Sequence, residues 1–117
     1  MEIKKEDKNM KKYKVYHSKS FDKELSNFDS EFQNSVDKIE DKLAENPYVG
    51  DHLSVKWFRE KRVGKQRVYY LIYENLEAVF MVAISGKKDQ QKIINTIRLL
   101  LDLLKEEIED LVDKDII

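Results

Sequence analysis

The chain is punctuated in very few places: one proline and three glycines in 117 residues, at Pro47, Gly50, Gly64 and Gly86. Helix breaking and unusual backbone freedom are concentrated there, so the long stretches between them should be regular. Tyr13-Lys-Val-Tyr-His17 mixes aromatic and β-branched residues in alternation and predicts a short first strand. Ser18 or Ser20 then offers a hydroxyl to cap a helix whose apolar stripe is Phe21, Leu25 and Phe28. Ser30-Glu-Phe-Gln33 has the spacing of a capping box, and Phe32, Val36, Ile39 and Leu43 carry one apolar face onward. At Asn46-Pro47 the missing amide and the restricted preceding residue stop the helix.

Between Pro47 and Gly86 the pattern changes. Tyr48 to Lys56 reads as a loop, and Trp57 to Val63 as a strand whose charges on both faces leave its register weakly specified. Gly64-Lys65-Gln66 supplies a turn, and the runs Arg67 to Tyr73 and Ala78 to Ser85, separated by Glu74-Asn-Leu-Glu77, predict an antiparallel meander. Within Arg67 to Tyr73, Val68, Tyr70 and Ile72 share one face, expected to pack on helices. Arg67, Tyr69, Leu71 and Tyr73 share the other, expected to present Arg67 beside aromatics. From Asp89, a plausible N-cap, apolar residues keep helical spacing through Val112 without a break, predicting one long terminal helix. Leu99, Leu100, Leu101, Leu103 and Leu104 cover more of its circumference than one sheet face requires, which points to a homodimer or other partner contact through this helix.

The length suits a single domain, residues 13–117 after a flexible terminus over 1–12, with a two-layer core. The absence of cysteine excludes disulfides and thiolate chemistry and fits the cytoplasm; no run approaches the length of a membrane span. The net charge of −1 hides an asymmetry, because Asp102 to Ile117 carries seven acids against two bases. That stretch is −5, which leaves +4 for the rest. Lys56, Arg59, Lys61, Arg62, Lys65 and Arg67 cluster with Glu60 as the only acid among them, a density suited to an anionic polymer.

No Gly-rich phosphate loop or G-x-S-x-G elbow is present, and His17 and His52 lack metal-ligand spacing, so neither metal nor cofactor is expected. The set left for chemistry is Arg62, Arg67, Lys87 and Lys88. Arg pairs bidentately with phosphate, Lys supplies a point charge, and the start of the following helix adds partial positive charge. Attack by a ribose 2′-hydroxyl on its own phosphate needs such groups, since negative charge builds on the phosphoryl oxygens. The plain alternative is a solvated basic strand with Arg67 paired to Glu60 or Glu77.

The order of elements, N-P-x-x-G (Asn46, Pro47, Gly50), R-V-G-x-x-R-V-x-Y (Arg62 to Tyr70) and the closing G-K-K (Gly86, Lys87, Lys88) resembles the RelE/ParE superfamily of type II toxin–antitoxin toxins, especially archaeal RelE-like ones. The match runs from about Tyr13 to Ile97. The resemblance implies an α+β fold, a small twisted antiparallel sheet of about four strands with an N-terminal helical hairpin and a long C-terminal helix. It implies an antitoxin partner and, for RelE proper, cleavage of mRNA on the ribosome. Carried over, Arg67 and Lys88 would stabilise phosphorane-like charge, Lys87 would protonate the leaving 5′ oxygen, and Arg62 would position RNA, with Arg59, Lys61 and Lys65 as further RNA contacts. The strand lysines of the best-known RelE fall on Phe58 and Glu60, and its C-terminal tyrosine on Ile94; a one-residue slip would use Arg59 and Lys61 instead. His17, Tyr69 or Tyr73 are the substitutes for a base. The alternatives are a non-enzymatic ParE-like toxin that binds a topoisomerase, or a degenerate, non-toxic module that self-associates.

Overall fold

A computed structural model describes residues 12–116, with no account of the side chain of residue 116. The segment expected to be flexible, Met1 to Lys12, therefore lies outside the described residues except for Lys12. The elements are β1 (Lys14–His17), α1 (Lys19–Leu25), α2 (Ser30–Glu45), β2 (Asp51–Leu53), β3 (Val55–Val63), β4 (Gln66–Tyr73), β5 (Ala78–Gly86), α3 (Gln90–Leu99) and α4 (Leu101–Ile116), with single 3-10 turns at Pro47–Val49, Glu74–Leu76 and Lys87–Asp89. The fold is α+β. Its sheet has five strands in the order β1-β5-β4-β3-β2, and β1 runs parallel to β5 while every other pair is antiparallel.

Local chemistry explains most boundaries. Ser18 caps α1, its hydroxyl accepting from the Phe21 amide at 3.0 Å. The second helix begins one residue earlier than the capping-box reading: Asp29 is its N-cap and accepts from Phe32 N at 2.9 Å. Gln33, freed from that box, instead donates to the carbonyls of Leu25 and Phe28, fastening the turn between the helices. Asn46 ends α2 and its side chain accepts from Tyr48 N. The loop expected after it contains β2, a three-residue edge strand too short to show a period in sequence.

Gly50 is the tightest point of that segment. A Cβ there would sit 2.5 Å from both the Glu60 carbonyl oxygen and the Tyr70 hydroxyl oxygen. The Tyr70 hydroxyl accepts from Gly50 N and donates to Pro47 O, so it locks the Pro47–Gly50 turn against the sheet. Gly64, at φ 61, provides the left-handed backbone of the β3–β4 turn.

Both faces of the sheet are covered, so the molecule has three layers rather than two. Val68, Tyr70, Ile72, Val79 and Met81 pack with Phe21, Val36 and Leu43 of α1 and α2. On the other side Phe58, Tyr69, Leu71 and Phe80 pack with Ile94, Ile97, Leu104 and Ile108 of α3 and α4. This accounts for the unbroken apolar run of β5, which is buried from Ala78 to Ser85 because neither face meets water. The terminal helix is interrupted at Leu100, whose amide is shared between the Thr96 and Ile97 carbonyls, giving α3 and α4. The second helix is anchored at distant points: the Glu107 carboxylate accepts from Lys19 N at 2.8 Å, and Asp115 meets Lys14 and the Tyr16 hydroxyl.

Candidate functional site

Strand pairing decides which basic residues meet. Phe58 lies opposite Leu71, Glu60 opposite Tyr69 and Arg62 opposite Arg67, so these six share the face under α3 and α4. Arg59 pairs with Tyr70 and Lys61 with Val68, which places them on the α1–α2 face. The basic set therefore divides between the two faces of the sheet. Arg62 and Arg67 adjoin the turn Lys87–Asp89, because Arg67 is also opposite Ser85 and Gln66 opposite Gly86. Lys65 is exposed in the hairpin turn, as is Arg62 on its strand, and Lys87 and Lys88 are both exposed.

Arg59 has a different occupation. Its guanidinium donates to the carbonyls of Gly50, Lys56 and Tyr48 at 2.9, 2.9 and 3.0 Å and stacks over the Tyr48 ring. It clamps the loop around β2.

Arg67 is buried, only 9% exposed, and its Nε stands 3.6 Å from Glu60 Oε2. It is thus not openly displayed beside aromatics as the strand pattern suggested; α3 covers that face. Glu60 also accepts from Gln90 Nε2 at 2.7 Å, which ties the pair to the first residue of α3. Beside them the hydroxyls of Tyr69 and Ser85 are 2.8 Å apart, and Ser85 Oγ donates to the Gly86 carbonyl. Burial is the leading cause pushing the Tyr69 hydroxyl pKa up, opposed by its bond to Ser85. Asp89 stands at the N-cap of α3, but its side chain caps nothing. The site is a charged corner: a buried arginine loosely paired to one carboxylate, with exposed Arg62 and Lys65 on the adjoining hairpin and exposed Lys87 and Lys88 in the turn after β5. A separation of 3.6 Å is longer than a good charge-assisted hydrogen bond.

The candidate bases differ sharply. His17 holds Asp22 through Nδ1 and Glu40 through Nε2, each at 2.6 Å, so neither nitrogen is free. Burial pulls its pKa down, but the bonds and charges of Glu40 and then Asp22 outweigh that and push it up to about 9. Tyr73 lies at the far end of β4, its hydroxyl pushed up to about 12, first by burial and then by Glu109. Of the three, Tyr69 alone adjoins Arg67. Glu60 and Gln90 are members of the site that sequence reading did not enlist for chemistry, although Glu60 was visible as the one acid in the basic run. Among the described residues no group of three His, Asp or Glu is placed to hold a metal ion, and no helix is long and apolar enough to cross a membrane.

No protein-family model and no curated protein sequence matches the chain. Solved structures do. A chain of the archaeal RelE–RelB complex from Pyrococcus horikoshii superposes with a TM-score of 0.59 at 17% identity, over 65% of this chain and 96% of that one. A mutant E. coli toxin RelE in the free state gives 0.62 at 13% identity, over 73% and 97%. A chain of the RelBE2 toxin–antitoxin complex from Mycobacterium tuberculosis gives 0.57 at 19%, over 64% and 98%. Nearly the whole of each neighbour is matched while roughly a third of this chain is additional, and the chain has the fold of the RelE toxins.

Proposed function

We propose that the protein is the toxin of a type II toxin–antitoxin pair, acting as a metal-independent endoribonuclease on mRNA at the ribosome. The observation that carries this reading is the Arg67–Glu60–Gln90 corner, in which a buried guanidinium is held by one distant carboxylate and surrounded by exposed cations. A ribose phosphate entering there meets Arg67 from below and Lys88 from the turn, and both neutralise charge that develops on the phosphoryl oxygens. Arg62 and Lys65 hold the backbone along the hairpin. Lys87 delivers the proton to the departing 5′ oxygen, and Glu60, released from Arg67 by the phosphate, accepts the proton of the attacking 2′-hydroxyl. Arg59 and Lys61, on the opposite face, add only to the surrounding field. A partner antitoxin is part of the same reading, because two of the structural neighbours are complexes with RelB or of RelBE2. It would suppress the toxin by covering the cationic rim.

The test is controlled expression in a heterologous host with growth and mRNA integrity followed together. Growth arrest with cuts in ribosome-bound mRNA, abolished in Arg67→Ala/Lys88→Ala, is the expected result. Arrest with intact mRNA and induced DNA breaks would replace it with the ParE-like, topoisomerase-binding reading. No arrest at all would leave the degenerate module.

A further inference from the structure

We propose that two copies of this chain pair through the outward face of α3 and α4, antiparallel about a two-fold axis between Leu99 and Leu103. The three most exposed leucines of the described residues lie together where the helices meet: Leu99 is 85% exposed, Leu103 62% and Leu100 39%. Leu99 and Leu103 point away from the core, since Ile94, Ile97, Leu104 and Ile108 occupy the opposite side of the same helices. Apolar surface of this kind at one spot marks an interaction site rather than random scatter.

Charge identifies the occupant. Lys92, Thr96 and Leu99 at helical spacing on α3, continued past the break at Leu100 by Leu103, Glu106 and Asp110 on α4, form an outward stripe, all of them exposed. The stripe is cationic at its start, apolar at its centre and acidic at its end. Such an order is self-complementary only when reversed: about the Leu99/Leu103 centre, Lys92 of one copy faces Asp110 of the other, Thr96 faces Glu106, and Leu99 faces Leu103. A two-fold contact demands this self-complementarity, and a parallel pairing would set acid against acid. The arrangement also lays the acidic end of each α4 toward the Lys87–Lys88 turn of the other copy, so pairing would shield the cationic rim. It does not rest on the ribonuclease reading.

Sedimentation equilibrium of the full chain tests it. The expected mass rises from 14.0 kDa toward twice that with concentration, and falls back as salt is added. Leu99→Glu/Leu103→Glu should be monomeric with unchanged circular dichroism. Lys92→Glu sets like charges opposite one another at two symmetric contacts and should weaken association by about tenfold, with Lys92→Glu/Asp110→Lys restoring it. A wild-type chain that stays monomeric at high micromolar concentration overturns the proposal, as does a dimer indifferent to Leu99→Glu/Leu103→Glu. A dimer that loses nothing in Lys92→Glu overturns the antiparallel register.

Discussion

Two charged clusters flank the sheet, and they are built to opposite tolerances. At the end of β1, His17 is gripped by Asp22 and Glu40 at 2.6 Å on both ring nitrogens, joining a strand and two helices. At the start of β4, Arg67 meets a single carboxylate at 3.6 Å, although its side chain is better hidden, 11% exposed against 24% for His17. Depth alone would make the arginine the structural residue. The geometry says otherwise: the histidine has no unused donor, whereas most of the guanidinium's five N–H groups remain to be engaged. The His17 cluster has no donor left to offer, and the Arg67 cluster does.

The contrast can be broken most visibly at Arg67. Arg67→Ala should lower RNA cleavage by about 10²–10³-fold, the scale of losing one charge stabiliser, with the melting temperature changing little. A loss of activity that tracked a loss of fold would erase the distinction between the clusters. Next comes Gly50→Ala, which forces a methyl against the Tyr70 hydroxyl and the Glu60 carbonyl and should cost about 1–3 kcal/mol in denaturant unfolding.

At the other cluster, His17→Ala should destabilise by about 1–2 kcal/mol at pH 6, because it removes two charge-assisted bonds of which one lies near solvent, and leave cleavage intact. The sign with pH follows from a folded pKa raised to about 9 above an ordinary value of 6.5. The histidine's contribution is fully present below 6.5 and is lost as pH climbs through about 9, so wild type and variant should converge in stability on the alkaline side. The smallest effect belongs to Glu77, held at φ 48: Glu77→Gly should stabilise by up to about 1 kcal/mol in thermal unfolding.

Much of this was legible in the residues. With so few glycines and prolines, the strand at Lys14–His17, both first helices and the β4–β5 meander announced themselves by period and punctuation, and of the two candidate caps, Ser18 and Ser20, Ser18 is the one used. What escaped depends on partners distant in sequence. The edge strand Asp51–Leu53 exists because β3 is there to pair with it. The antiparallel expectation missed β1, whose parallel neighbour begins long after it in the chain. The break at Leu100 has no glycine or proline to mark it. At the site, the alternation in β4 sorted Arg67 onto the right face but could not reveal that a helix would close over it, or that Gln90 would hold its counter-ion. Arg59 reads as one more cation in a basic run, and only the carbonyls around it disclose a loop clamp.

The parallel pairing of β1 with β5 also orders events in time. Lys14 sits beside Ala78, sixty-four positions further along the chain. The β3–β4–β5 meander that carries Arg62, Arg67 and Ser85 closes through short local turns, whereas β1 and the helices pinned to it through His17 must wait for β5 to exist before they can dock. During synthesis β3 and β4 therefore emerge and can pair through their own turn, while completion of the sheet is deferred until β5, the strand between β1 and β4, has left the ribosome.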